Sequence, residues 1–131
     1  MTTILQPHPI HLVPSEDEPE IILDKAKNIL RFSGTSIPED PEKLFKPVMN
    51  WVDKYIKSPN PETKVEFAMD YYNSSTARFF AEMLSKFEEL NERAGNVRII
   101  WGCKKDDVVM LERGEDLQAI IQIPFEFITS E

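Results

Sequence analysis

Lys64-Val65-Glu66-Phe67-Ala68-Met69-Asp70-Tyr71-Tyr72-Asn73-Ser74-Ser75-Thr76 decides how this chain folds. The residues alternate from Lys64 to Tyr71. Val65, Phe67, Met69 and Tyr71 point one way, and Lys64, Glu66, Ala68 and Asp70 the other. That is a strand with one buried face. The alternation stops at a short amide followed by three hydroxyls. Phe79, Phe80, Met83, Leu84, Phe87 and Leu90 then recur at helical spacing to about Ala94. Gly95-Asn96 closes that helix. Val97 to Trp101 is again apolar enough for a strand. Strand, long helix and strand make a βαβ unit, which predicts parallel strands and a right-handed crossover.

Working outward, Ile21 to Leu23 and Ile29 to Phe32 read as a hairpin around Asp24 to Asn28. Asp40 is placed to cap a helix with Pro41 in its first position. That helix is expected from Pro41 to Lys57, with Leu44, Phe45, Val48, Trp51, Val52, Tyr55 and Ile56 on its apolar stripe. Pro47 should bend it or shift its start. Ser58-Pro59-Asn60-Pro61 ends it. After a charged loop from Lys104, Asp106 is expected to cap a third helix over Asp107 to Asp116, weakened slightly by Gly114. Ala119 to Ile123 reads as a last short strand. Phe125 and Phe127 pin the tail beyond Pro124. Residues 1–19 hold four prolines and an acidic cluster, and read as an extended arm before one domain over 20–131. The expected fold is α/β: a four-stranded mixed sheet with helices packed against it.

The chain has 131 residues, 41% of them hydrophobic, which suits one domain with a real core. Its net charge of -8 disfavours nucleic acid and anionic membrane as partners, because no basic excess exists to displace counterions. The single cysteine, Cys103, rules out a disulfide within the chain and points to a reducing compartment. Residues 1–20 carry no basic start and no sustained apolar core, so no secretory signal is read there. No window is apolar enough for a membrane span. A cytoplasmic protein is expected.

Few residues of the chain stand in a pattern that carries chemistry. The four glycines form neither a dinucleotide-binding nor a P-loop spacing. The two histidines, His8 and His11, lie in the proline-broken arm without a third clustered ligand, so neither a metal nor any other cofactor is expected. Ser74 has no histidine near it in sequence and no nucleophile-elbow glycines, which leaves a small hydrolase as a remote alternative. The acidic pairs Asp106-Asp107 and Glu115-Asp116 read as solvated or capping charge. No catalytic residue is assigned, and the chain is not expected to be an enzyme.

The junction remains. Tyr72 and Asn73 form it, and Asn73, Ser74 or Ser75 caps the helix. One cap needs one short polar residue, and here four stand in a row. A phosphate on one hydroxyl would add roughly -1.5 to -2 charge where the helix dipole and free N–H groups tolerate it. Two readings follow: a phosphorylation switch, or a non-switching scaffold whose hydroxyls only cap.

Tyr71-Tyr72-Asn73-Ser74-Ser75-Thr76, followed by Ala77, Arg78 and the long helix, resembles the SiaC family of small bacterial regulatory phosphoproteins, whose fold is STAS-like. The segment Glu42 to Tyr55, the strand Val97 to Trp101, the acidic stretch Asp106 to Asp116 and Ile123-Pro124-Phe125 are similar to the family too. Gly102-Cys103 stands where the family has an aromatic pair. The resemblance implies a non-enzymatic, partner-switching signalling protein. Its unmodified form would bind a diguanylate cyclase and promote cyclic-di-GMP synthesis, and so act in biofilm control. A dedicated kinase would phosphorylate the junction and block binding, and a PP2C-type phosphatase would reverse the mark. The family's acceptor position falls on Ser74, with Ser75 and Thr76 as alternatives. Ser75, Thr76 and Arg78 would lie on the partner-binding face.

Overall fold

Six strands, not four, make the sheet. The computed structural model describes residues 6–131, so the first five residues of the expected arm lie outside it. The strands are β1 (Ile10–Leu12), β2 (Glu20–Asp24), β3 (Ile29–Ser36), β4 (Thr63–Tyr72), β5 (Val97–Lys104) and β6 (Phe125–Ser130), and they lie in chain order across the sheet. β1, β2 and β3 pair antiparallel, and β3 to β6 pair parallel. The hairpin and the parallel βαβ pair expected from the sequence are both present. The two additional strands have separate causes. β1 has only three residues inside a proline-rich segment, too few for alternation to register. β6 begins after Pro124, not at Ala119. A proline has no N–H for the ladder, but the Pro124 carbonyl accepts from Ile99 N at 2.9 Å and leads the next residues into register with β5.

The helices are α1 (Pro41–Tyr55), α2 (Ser74–Ala94) and α3 (Val108–Ile120). Asp40 caps α1, accepting from Lys43 N at 3.1 Å, and the helix runs on through Pro47. Asp107, not Asp106, caps α3 by accepting from Met110 N at 3.0 Å. α3 then runs on to Ile120, so Ala119 and Ile120, expected to open a strand, end the helix instead, and residues 121–123 join no strand. Among the described residues no helix is long and apolar enough to cross a membrane.

All three helices cover one face of the sheet. Strand register explains how. Ile21, Phe32, Phe67, Trp101 and Phe127 are successive neighbours across β2 to β6, so they form one transverse apolar row. Phe80 of α2 sits against that row, with ring centroids 5.6 Å from Phe32 and 5.1 Å from Phe67. Phe45 of α1 meets Phe79 at 5.0 Å and Phe80 at 6.0 Å. α3 is tied to the same row, because the Trp101 indole Nε1 donates to the Met110 carbonyl at 2.9 Å. Trp51 is buried in the core and stacks on Tyr55 at 5.0 Å. The opposite face is polar, with Glu66 held between Arg31 at 3.1 Å and Lys64 at 3.5 Å.

Candidate functional site

The site is built where β4 hands over to α2, at the end of the sheet from which all three helices start. Its geometry depends on a bulge. Gly34 pairs with Met69 but Thr35 pairs with Tyr71, so Asp70 is the extra residue on β4. Gly34 has φ 92, a conformation open to glycine, at the step where the register shifts. The extra residue inverts the alternation. Tyr71, expected to face inward with Met69, is 47% exposed, and Tyr72 is buried in its place. Tyr72 packs on Phe80 at 5.1 Å and on Trp101 at 6.4 Å. Burial pushes its phenol above the usual range, against the opposing pull of the Arg113 charge.

Asn73 is the N-cap of α2. Its side-chain oxygen accepts from Thr76 N at 3.1 Å and from the Ser75 hydroxyl at 2.9 Å. Asn73 N donates to the Ser36 carbonyl at 3.1 Å, which ties the cap to the end of β3. Thr76 is fully buried. Its hydroxyl donates to the Ser36 carbonyl at 3.2 Å and lies 2.8 Å from the Ser36 hydroxyl. With the threonine proton on the carbonyl, the Ser36 hydroxyl is the donor of the shorter bond. Ser74 differs from its neighbours. It is exposed, and among the described residues its hydroxyl makes no protein hydrogen bond. The row of four polar residues therefore divides into a cap, a free hydroxyl, a hydroxyl held by the cap and a buried clasp.

Ser36 is the residue that sequence reasoning missed. Nothing in the local pattern marks it, because the register that brings it opposite Tyr72 spans more than thirty residues of chain. Thr76→Val keeps the shape of the clasp but leaves the buried Ser36 hydroxyl without its acceptor. A loss of about 1–3 kcal/mol is expected, measured by urea unfolding against wild type.

Two arginines frame the junction. Arg78 follows Ser74 by four residues, one helical turn along α2, and is exposed with its guanidinium 5.5 Å from the Phe79 ring centroid. Arg113 reaches over from α3 and lies 4.5 Å from the Tyr72 centroid and 5.6 Å from that of Tyr71. Of the partner-binding residues named from the sequence, Arg78 is at the surface, Ser75 is half-buried and Thr76 is inside. Away from this site, burial and then the nearby Asp107 push the Cys103 thiol up, so it is a poor nucleophile. His11 lies 3.1 Å from Glu20. Among the described residues no three His, Cys, Asp or Glu side chains cluster as metal ligands.

The sheet with helices on one face and the capped strand–helix junction define an α/β domain of STAS-like fold. A model of the SiaC family of regulatory phosphoproteins matches residues 12–130, and the chain belongs to that family. Its members are regulatory proteins, not enzymes. An uncharacterised protein of Pseudomonas aeruginosa strain UCBPP-PA14 is 22% identical over 116 residues, covering 88% of this chain and 92% of the relative. The structure of SiaC of Pseudomonas aeruginosa superposes with a TM-score of 0.86 at 22% identity, over 94% of this chain and 99% of the other. A chain in the crystal structure of the diguanylate cyclase SiaD with its activator SiaC, also from Pseudomonas aeruginosa, gives 0.87 at 21% identity, over 92% and 99%. At such identities these likenesses establish the fold.

Proposed function

We propose that this chain is a partner-switching regulator whose unphosphorylated form binds and promotes a diguanylate cyclase, and whose switch is Ser74. One observation carries the choice of residue: of the three consecutive hydroxyls, only that of Ser74 is exposed and without a protein hydrogen bond among the described residues. An acceptor must enter a kinase active site, and Thr76 could do so only by unwinding the first turn of α2. Family membership supports the phosphoprotein character, and the SiaD–SiaC complex supports a cyclase as the output. A dedicated kinase and a PP2C-type phosphatase complete the cycle, in the bacterial cytoplasm. Phosphate on Ser74 would place a near-dianion beside Arg78 at the start of α2. The junction need not unfold, since the helix dipole favours negative charge there. The effect falls on docking.

Incubation with the cognate kinase and ATP, followed by intact-mass and peptide mass spectrometry, tests the site. One phosphate on Ser74 is expected in wild type and in Thr76→Val, and none in Ser74→Ala. Phosphate on Ser75 or Thr76 instead would overturn the assignment. The phosphorylated protein should bind the purified cyclase at least roughly tenfold more weakly, on the scale of a lost interface hot spot. A Ser74→Asp chain and a phosphorylated chain that both bound as tightly as wild type would leave the hydroxyls as caps on a scaffold.

A further inference from the structure

We infer that the docking face continues from the start of α2 onto the first turn of α3, and that it fits a partner surface of apolar side chains flanked by carboxylates. This inference rests on the function proposed above. The exposed apolar residues Tyr71, Val108 and Val109 are 47%, 62% and 59% exposed, and all belong to the end of the sheet that carries Ser74. Arg113 makes them continuous. It lies over the Tyr71 ring, and Val109 is one turn before it on α3. Tyr71 in turn is three residues from Ser74, and it is outward only because Asp70 is bulged. An inward Tyr71 would have left no such platform.

The charges select the partner. Arg31, Lys64, Lys86 and Lys104 are each within 4 Å of a carboxylate. Arg78 and Arg113 are in no ion pair among the described residues and lie over aromatic rings instead. The chain, of net charge -8, has other Lys and Arg side chains outside ion pairs, but these two are the cations placed over the aromatic rings at the edge of the apolar patch. Cations so placed pair with incoming carboxylates and discriminate against basic surfaces. A phosphate on Ser74 would compete for Arg78 and repel the same carboxylates, which couples the modification to this face.

Val109→Asp is the discriminating variant. It reverses the character of the patch, while an acid in the first turn of α3 agrees with the helix dipole, so the fold is kept. Thermal melting verifies this. Binding of the unphosphorylated chain to the purified diguanylate cyclase from the same genome is then measured by calorimetry. Val109→Asp and Tyr71→Ser are expected to weaken it roughly tenfold or more, while Ile128→Ser, on exposed β6, changes it less than about twofold. Wild-type binding with an unchanged Val109→Asp would overturn this inference and leave the proposed function standing. A wild-type chain that binds no cyclase would overturn both. A concentration-dependent dimer dissolved by Val109→Asp would give the face to a second copy and overturn the partner assigned to it.

Discussion

Phe80→Ala is expected to lower the unfolding free energy by about 3–5 kcal/mol, the range for emptying an aromatic site in a packed core. Phe80 is almost wholly buried, and its ring lies within 6 Å of Phe32, Phe45, Phe67 and Tyr72. These come from β3, α1 and β4, so the void would open where three elements meet. Neighbouring aromatics are rigid and cannot collapse into it, which places the cost toward the upper part of the range. Phe80 also lies two turns into α2 and holds the register of the helix on the sheet. The urea midpoint should fall with the slope unchanged. Phe80→Leu should recover more than half of the loss. A loss below about 1 kcal/mol for the alanine variant would mean that the aromatic row is not a stability centre.

Gly114→Val should cost about 3 kcal/mol, at the upper end for an overpacked site. A Cβ at this position would stand 2.5 Å from Trp101 Cδ1 and Nε1 and 2.8 Å from Phe127 Cε1. Trp101 is fully buried and cannot move aside, while Phe127, half-buried on the edge strand β6, can yield only in part. The Cβ would also lean toward the previous turn, into the path by which the indole N–H reaches the Met110 carbonyl. Gly114→Ala separates the opposing effects. Alanine gains up to about 1 kcal/mol of helix propensity over glycine, so its net loss should be smaller but still a loss. If Gly114→Ala stabilised the protein, helix propensity would outweigh the close approach and the packing account of α3 would fail. Loss of α3 packing should also weaken partner binding, because α3 carries Val109 and Arg113.

Gly114 shows how far local reasoning reaches. From the chain alone it weakens a helix. In the fold it is the place where a helix approaches the sheet closely enough for an indole to bond its backbone. Tyr71 is a second case. Strict alternation sends it inward, and the Asp70 bulge sends it outward. Nothing in residues 64–71 announces the bulge, because it is the register with Gly34 and Thr35 that requires it. The strand count failed for a similar reason. β1 and β6 are short edge strands whose existence depends on a neighbour presenting free backbone groups, not on their own pattern.

The residues of the chain determined by themselves the βαβ unit around α2 and a polar cap for that helix within Asn73 to Ser75. These are local facts, set by periodicity of 2 and 3.6 and by cap chemistry. Only the tertiary structure decided which of three adjacent hydroxyls is free. Ser75 is held by Asn73, and Thr76 is held by Ser36, which lies forty residues away in sequence. Accessibility is a property of the neighbours brought by strand register, and three hydroxyls identical in local chemistry acquire different states only when β3 arrives beside them.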